Sequence, residues 1–334
     1  MFFISKKFLI ILLAIVFIFL WANFQFHSNI SLPTTKTFTI IKGDGLTIIA
    51  DKLENEGIIS SPFWFKVYAI IEGKHDNFLA GTFFLPQKIN IKTLVKMLTS
   101  EKFMQLESQI TLIEGWDENE IAAYLASKQL ATEKDFLKFS KNNWLSADYA
   151  FLKDKPANAD LEGYFYPDTY RIYQSATIEE IVRKILNNFD KKLTPALRAE
   201  IKKQNKTIFQ ILTLASIIEK EMNGAENRKI AAGIFWKRIK EGIPLQSDAT
   251  INYFTRKGMT QPTYKDLEIE NAYNTYKHYG LPPGPICNPG IDAIIAAIEP
   301  IATPYYYFLT TKTGEVIFSK TYEEHLKNKQ KYLN

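Results

Sequence analysis

No charged side chain occurs from Phe8 to Thr35, and from Phe8 to Ala22 fifteen residues in a row (FLIILLAIVFIFLWA) are apolar. A run of this kind has neither the alternation of a half-buried strand nor the single stripe of a surface helix, so it predicts a helix that is apolar all round. Continued to Phe24 it extends about 25 Å at about 1.5 Å per residue. That is slightly short of a hydrocarbon core of about 30 Å, and Lys6 and Lys7 can snorkel to the headgroups. Trp21 suits the aromatic belt at the far end. A cleaved signal peptide shares these regions, but Trp21-Ala22-Asn23-Phe24-Gln25-Phe26 offers no small-x-small cleavage site. The expectation is therefore an uncleaved single-pass anchor in the cytoplasmic (inner) membrane. It has a cytoplasmic tail (1–7), a transmembrane helix (8–24) and, by the lysine bias, everything later on the periplasmic or extracytoplasmic side.

The remaining composition mainly excludes. The 334 residues carry 41 basic and 36 acidic side chains, a net +5, of which Lys6 and Lys7 supply two. The residual charge is too weak and too dispersed for a nucleic-acid footprint. One cysteine, Cys287, rules out an internal disulfide framework, and four scattered histidines stand in no ligand spacing, so neither a metal nor another cofactor is expected. GxGxxG, GxxxxGK[ST] and GxSxG are all missing.

Residues 25–37 are polar with a proline and read as a linker. A β-turn-α unit then occurs twice. Phe38–Gly43 with a helix carrying Ile49, Ala50 and Leu53 matches Ile110–Gly115 with Ile121, Ala122 and Leu125, seventy-two residues later. Between them Gly81–Pro86 reads as a strand, and Ile91, Leu94, Val95 and Leu98 as one face of a helix. From about residue 160 long helices alternate with Pro/Gly/Asn-rich loops. Ile291, Ile294, Ile295 and Ile298 predict a one-sided helix. The C-terminus predicts a hairpin (Tyr305–Thr310, Val316–Ser319) and a helix opened by Thr321 and Glu324. The fold class expected is α+β.

The stretch Thr207–Met222 (TIFQILTLASIIEKEM) begins like a capping box. At about 100° per residue with Ile208 at zero, Leu212 lies at about 40°, Ala215 at about −20° and Met222 at about −40°, which defines a buried stripe. On that wheel Glu219, at about 20°, sits inside the stripe, and Glu221, at about 220°, faces water. Burial would raise the pKa of Glu219 and keep it protonated near neutrality, as a general acid requires. The alternative is a glutamate paired with Arg228 or Arg238.

Three further segments bear on it. Leu161–Tyr170 (LEGYFYPDTY) has the composition of a sugar-stacking loop or of packed core, with Glu162, Tyr164, Tyr166 and Asp168 as candidate substrate contacts. Pro244–Thr250 (PLQSDAT) is a polar loop offering Gln246 and Asp248. Asn274-Thr275-Tyr276 precedes a rigid Pro/Gly-rich loop ending at Gly290 and offers Asn274 and Tyr276.

In this order, LEGYFYPDTY, ASIIEKE, PLQSDAT and YNTYKHYGLPPGPICNPG resemble the YceG-like family of endolytic murein transglycosylases, and with the anchor the likeness covers nearly the whole chain. The resemblance implies a LysM-like α/β subdomain (38–108) and a mainly helical catalytic domain (109–334) with a small C-terminal hairpin. It implies Glu219 as the catalytic acid/base. The reaction would be non-hydrolytic cleavage of the MurNAc–GlcNAc bond within nascent glycan strands, leaving 1,6-anhydroMurNAc ends. Peptidoglycan strands and membrane-bound peptidoglycan synthases are the implied partners. Two rivals stay open: a two-carboxylate muramidase pairing Glu219 with Glu162, Asp168 or Asp248, and a non-catalytic glycan-binding scaffold.

Overall fold

A computed structural model describes residues 6–105, 107–141, 144–173, 176–258 and 261–333; residues 6, 8–10, 105, 107 and 144 are described in backbone only. Helices and short antiparallel strands mix throughout, in two units: one running up to Ser108, the other holding Gln109–Ile172 and the chain from Ala176 onward.

The first unit opens with α1 (Lys6–His27), and its apolar side chains from Ile11 to Leu13 and from Ile15 to Trp21 are exposed, as is Phe24. Residues 1–5 of the expected tail, and the side chains of residues 8–10 of the expected span, lie outside the described set. Among the described residues no helix is long and apolar enough to cross a membrane. The expected linker is a correction. Residues 25–27 continue α1, β1 (Ile30–Ser31) pairs with β4 (Lys88–Ile89), and Phe26 and Leu32 are buried. The ring of Phe26 packs edge-on against Trp64 and Tyr68, so apolar contact orders a segment whose polar composition suggested none.

The rest of the unit is β2 (Lys36–Ile40), α2 (Leu46–Asn55), α3 (Pro62–Ile71), β3 (Gly81–Leu85), α4 (Ile91–Leu98) and β5 (Met104–Gln105). Strands β2, β3 and β5 form an antiparallel sheet with Phe38 opposite Phe83. Phe38, Phe83, Ile49, Leu53, Phe65 and Leu94 meet in its core.

The second unit contains β6 (Glu107–Thr111) from Gln109 onward, α5 (Glu118–Ser127), α6 (Glu133–Ser140), β7 (Thr169–Tyr173) as far as Ile172, α7 (Ile178–Lys192), α8 (Pro195–Lys203), α9 (Ile208–Glu221), α10 (Ala225–Lys240), α11 (Asp248–Thr255), α12 (Tyr264–Leu267), α13 (Ile291–Ile298), β8 (Tyr307–Thr310), β9 (Val316–Ser319) and α14 (Tyr322–Tyr332). The repeat holds at the level of the helix: α5 begins and ends seventy-two residues after α2, and the three matched apolar positions are buried in both. Both turns place glycine in the left-handed region, Gly43 at φ +100° and Gly115 at φ +81°.

Helix α9 runs through the middle of the second unit with α10 and α13 packed against it. Here the one-sided readings fail. Phe209 and every residue from Ile211 to Ile218 are buried, so α9 has no water face along most of its length. Helix α13 buries its alanines (Ala293, Ala296, Ala297) together with Ile294 and Ile298, while Ile291 and Ile295 are only half-buried. Small residues let two helices approach closely, a packing that counting large apolar residues does not register.

Candidate active site

Helix α9 starts where the capping box places it. Thr207 accepts from Gln210 N at 3.0 Å, and Gln210 returns the bond to Thr207 N at 2.9 Å. Asp154 adds a carboxylate to the same end, accepting from Ile208 N at 2.7 Å. The other end delivers two glutamates into different surroundings.

Glu219 is held from two sides. Its carboxylate accepts from the Arg228 guanidinium at 2.7 Å and from Gly290 N at 3.0 Å, and its side chain is 6% exposed. This is the paired arrangement that the sequence left open. Burial raises its pKa above the ordinary carboxyl value, Gly290 and Arg228 pull it back, and Glu114 and Asp292 add to the rise. A Cβ at Gly290 would come within 2.1 Å of Glu114 Oε1, so a larger residue there would displace the Glu114 carboxylate.

Glu221 does not face water. It lies half-buried on the wall of a cavity of about 880 Å³, and Ser247 Oγ donates to its Oε1 at 2.6 Å. Burial raises its pKa and Asp248 adds to the rise, while hydrogen bonds from Ser247 and the Ala249 N–H oppose it. Among the described residues no lysine or arginine forms an ion pair with it. The wheel failed because the last turn of α9 meets the start of α11: Ser247 is the N-cap of that helix, so the side turned away from the core stripe is covered.

The same loop supplies the cavity's polar wall. Gln246 adopts φ +53°, unusual for a residue other than glycine; Thr275 fixes it there by accepting from Gln246 N at 3.1 Å, and Arg238 donates to its side chain at 2.7 Å. Tyr276 OH donates to Asp248 Oδ1 at 2.6 Å, and burial together with Asp248 raises the Tyr276 pKa. Gln246, Asp248 and Tyr276 all line the cavity with Glu221, and Glu219 is not among its lining residues.

The other candidates are placed in the framework. Glu162 is buried, accepting from Glu118 N at 2.9 Å and from Asn288 Nδ2 at 2.8 Å, so it ties the Pro/Gly-rich loop to the start of α5. Burial and the nearby Glu118 raise its pKa well above the usual range. Tyr164 is fully buried against Phe151 and Phe189. Tyr166 packs on Phe189 with the Lys192 ammonium over its ring, and burial lifts its pKa to about 12. Asp168 is engaged by Asn188 at 2.9 Å and Lys192 at 3.4 Å. Of the two readings left open for LEGYFYPDTY, packed core describes its rings. Asn274 is buried and donates to Leu267 O and Ile269 O, bracing its own loop.

Sequence reasoning turned Glu221 toward water, offered Arg238 only as a partner for Glu219, and passed over Ser247. Ser247 stood inside the quoted PLQSDAT segment, and the spacing of two glutamates around Lys220 was the available signal for Glu221. Among the described residues no group of three His, Cys, Asp or Glu side chains could hold a metal ion.

What this arrangement can do chemically is proton transfer: a desolvated carboxyl, positioned by a hydroxyl and a helix-start N–H, faces a space large enough for sugar rings.

Comparison with known proteins bears on the substrate. Residues 38–331 match the model of the YceG-like family. A Bacillus subtilis (strain 168) protein named endolytic murein transglycosylase is 34% identical over 311 residues, covering 90% of this chain and 86% of that protein. A Streptococcus pneumoniae serotype 2 (strain D39) protein of the same name is 32% identical over 89% of this chain, which spans 58% of that longer relative. A crystal structure of a YceG-like protein from Listeria monocytogenes superposes with a TM-score of 0.60 at 32% identity, covering 88% of this chain and 98% of that one.

Proposed function

Because the chain belongs to the YceG-like family, we propose that it is a peptidoglycan lytic transglycosylase, a lyase cutting within glycan strands, with Glu221 rather than Glu219 as its acid/base. The observation that carries the assignment is the desolvated Glu221 carboxyl on the cavity wall, bonded to Ser247 and free of an ion pair among the described residues. Glu219 fits the role less well. Arg228 and Gly290 both favour its charged form, and withdrawing its charge would leave the Arg228 guanidinium buried without a partner.

The chemistry balances on one carboxyl group. Protonated Glu221 gives its proton to the GlcNAc O4 as the bond from MurNAc C1 to that oxygen breaks, and positive charge develops at C1. The MurNAc C6 hydroxyl then closes onto C1 and returns its proton to Glu221, forming the 1,6-anhydro ring. No water is consumed. The nucleophile belongs to the substrate, so the two-carboxylate arrangement of hydrolytic glycosidases is unnecessary, and its tethering raises its effective concentration. Ser247 and the Ala249 N–H hold the carboxylate between the two transfers.

The uninterrupted apolar run, the exposed side chains of α1 and the lysines before it support an anchor at residues 8–24 in the cytoplasmic membrane, with the rest of the chain outside. Residues 38–108 would be the LysM-like subdomain and residues 109–334 the catalytic domain. An anchored enzyme meets strands as they leave membrane-bound synthases, so it would end their elongation.

Asp248 on the same wall favours one rival, a muramidase with two carboxylates. Mass analysis of muropeptides released from sacculi by the full chain in detergent separates them. Anhydro products are one water lighter than hydrolytic ones and carry no new reducing end. Products with reducing ends alone would overturn the lyase reading.

A further inference from the structure

The cavity extends beyond the proton-transfer group to a wall made by the C-terminal hairpin and α14. On α14 the residues lining it are Tyr322, His325, Leu326 and Lys329, which share one helical face at i, i+3, i+4 and i+7. None of the residues of α14 is buried, and Tyr322 and Leu326 are 55% and 46% exposed. Tyr322 and Leu326 place apolar surface on this face, and it looks into the cavity.

The wall is built rather than incidental. The Tyr307 ring stacks on His325 at 5.3 Å, meets Tyr322 at 5.8 Å, and carries the Arg238 guanidinium 5.4 Å from its centre. Two buried polar atoms in this cluster, Arg238 Nε and His325 Nδ1, have no hydrogen-bond partner, although buried polar atoms are almost always satisfied. Neither the hairpin nor α14 contributes a carboxylate to the cavity lining, and Lys329 forms no ion pair among the described residues. Aromatic faces beside a cation with no ion pair among the described residues match a sugar ring that carries an anionic substituent.

We infer that Tyr307, Tyr322 and Leu326 form a distal saccharide subsite in which Lys329 takes a carboxylate of the peptide stem borne by the strand. The subsite rests on the peptidoglycan reading above and adds what that reading leaves out: the strand is recognised with its stems attached.

The test uses the full chain in detergent and two probes, glycan strands with intact stem peptides and strands stripped of them by an amidase. Lys329→Ala should raise KM for stem-bearing strands about fivefold to tenfold more than for stripped strands, with kcat within about twofold, and Lys329→Arg should restore the preference. Tyr322→Ala should raise KM for both probes. Unchanged KM in both alanine variants, or an equal change on both probes for Lys329→Ala, would overturn the subsite. Cosedimentation of the Glu221→Gln chain with each probe separates this proposal from the catalytic one. Lys329-dependent binding in a Glu221→Gln chain that still cleaves would sink the assignment of Glu221 and leave the subsite standing.

Discussion

Ser247 Oγ donates to Glu221 Oε1 across 2.6 Å, joining the last turn of α9 to the first turn of α11. The bond lets a half-buried carboxyl reach the cavity without a cation to hold it charged. Two residues earlier the same helix sends Glu219 into an ion pair with Arg228. One helix end thus carries one carboxyl paired with a guanidinium and one held by a hydroxyl.

Glu221→Gln should lower turnover by about a thousandfold, within the range for loss of a general acid–base group, and change the melting temperature little. Glu219→Gln leaves Arg228 buried without its charge partner and should cost about 3 kcal/mol of stability. Muropeptide release and thermal unfolding measured on both variants check it; normal turnover in Glu221→Gln would reject the assignment.

A pH profile tests the role of the hydroxyl. Glu221 must be protonated to act first as an acid, and its pKa is raised, so activity should decline with rising pH only above the ordinary carboxyl range. The Ser247 hydroxyl stabilises the charged form. Ser247→Ala should therefore raise the pKa further and move the alkaline limb of kcat to higher pH. A limb that stays in place, or moves down, contradicts the proposed bond.

Glu118 makes stability depend on pH. Burial, helped by Asp160, raises its pKa from 4.5 to about 8, while Ser140 donates to it at 2.6 Å. Between those values the unfolded chain binds fewer protons at this group than the folded one. Its contribution is therefore fully present below about pH 4.5 and lost as pH rises toward about 8. Glu118→Gln should be near neutral at pH 4 and more stable than the parent by about 1–3 kcal/mol at pH 8. Urea unfolding at the two pH values measures the difference, and an equal effect at both would exclude this origin.

Gly163 locks one loop against another. It sits at φ +87°, and a Cβ there would lie 2.6 Å from Pro285 Cγ. Gly163→Ala combines left-handed strain with overpacking and should cost about 2–4 kcal/mol. Calorimetry reads the loss; a melting temperature equal to the parent's would show that the loops separate freely.

Much of the local structure was legible. Thr207 with Gln210 and Thr321 with Glu324 fixed two helix starts, because a cap is a contact between near neighbours. The repeat was legible for the same reason: Ile49, Ala50 and Leu53, like Ile121, Ala122 and Leu125, carry their helix's phase in their own spacing. The candidate site was only partly legible. Gln246, Asp248 and Tyr276 line the cavity, whereas Glu162, Tyr164 and Asn274 turned out to be buried framework. A polar or aromatic residue in a Gly/Pro-rich loop looks the same in sequence whether it braces the loop or faces a ligand.

The sequence by itself determined the capped starts of α9 and α14, the matched apolar positions that α2 and α5 bury, and the family to which the motifs belong. Only the tertiary structure decided which glutamate of the Glu219-Lys220-Glu221 segment faces the cavity. Hydrophobic periodicity assigns a direction only to a helix with one wet side, and α9 is enclosed almost all round. On such a helix the environment of each carboxyl is set by what packs there, Arg228 and Gly290 around one and Ser247 and Ala249 around the other. Those partners come from distant segments of the chain, so no local pattern encodes them.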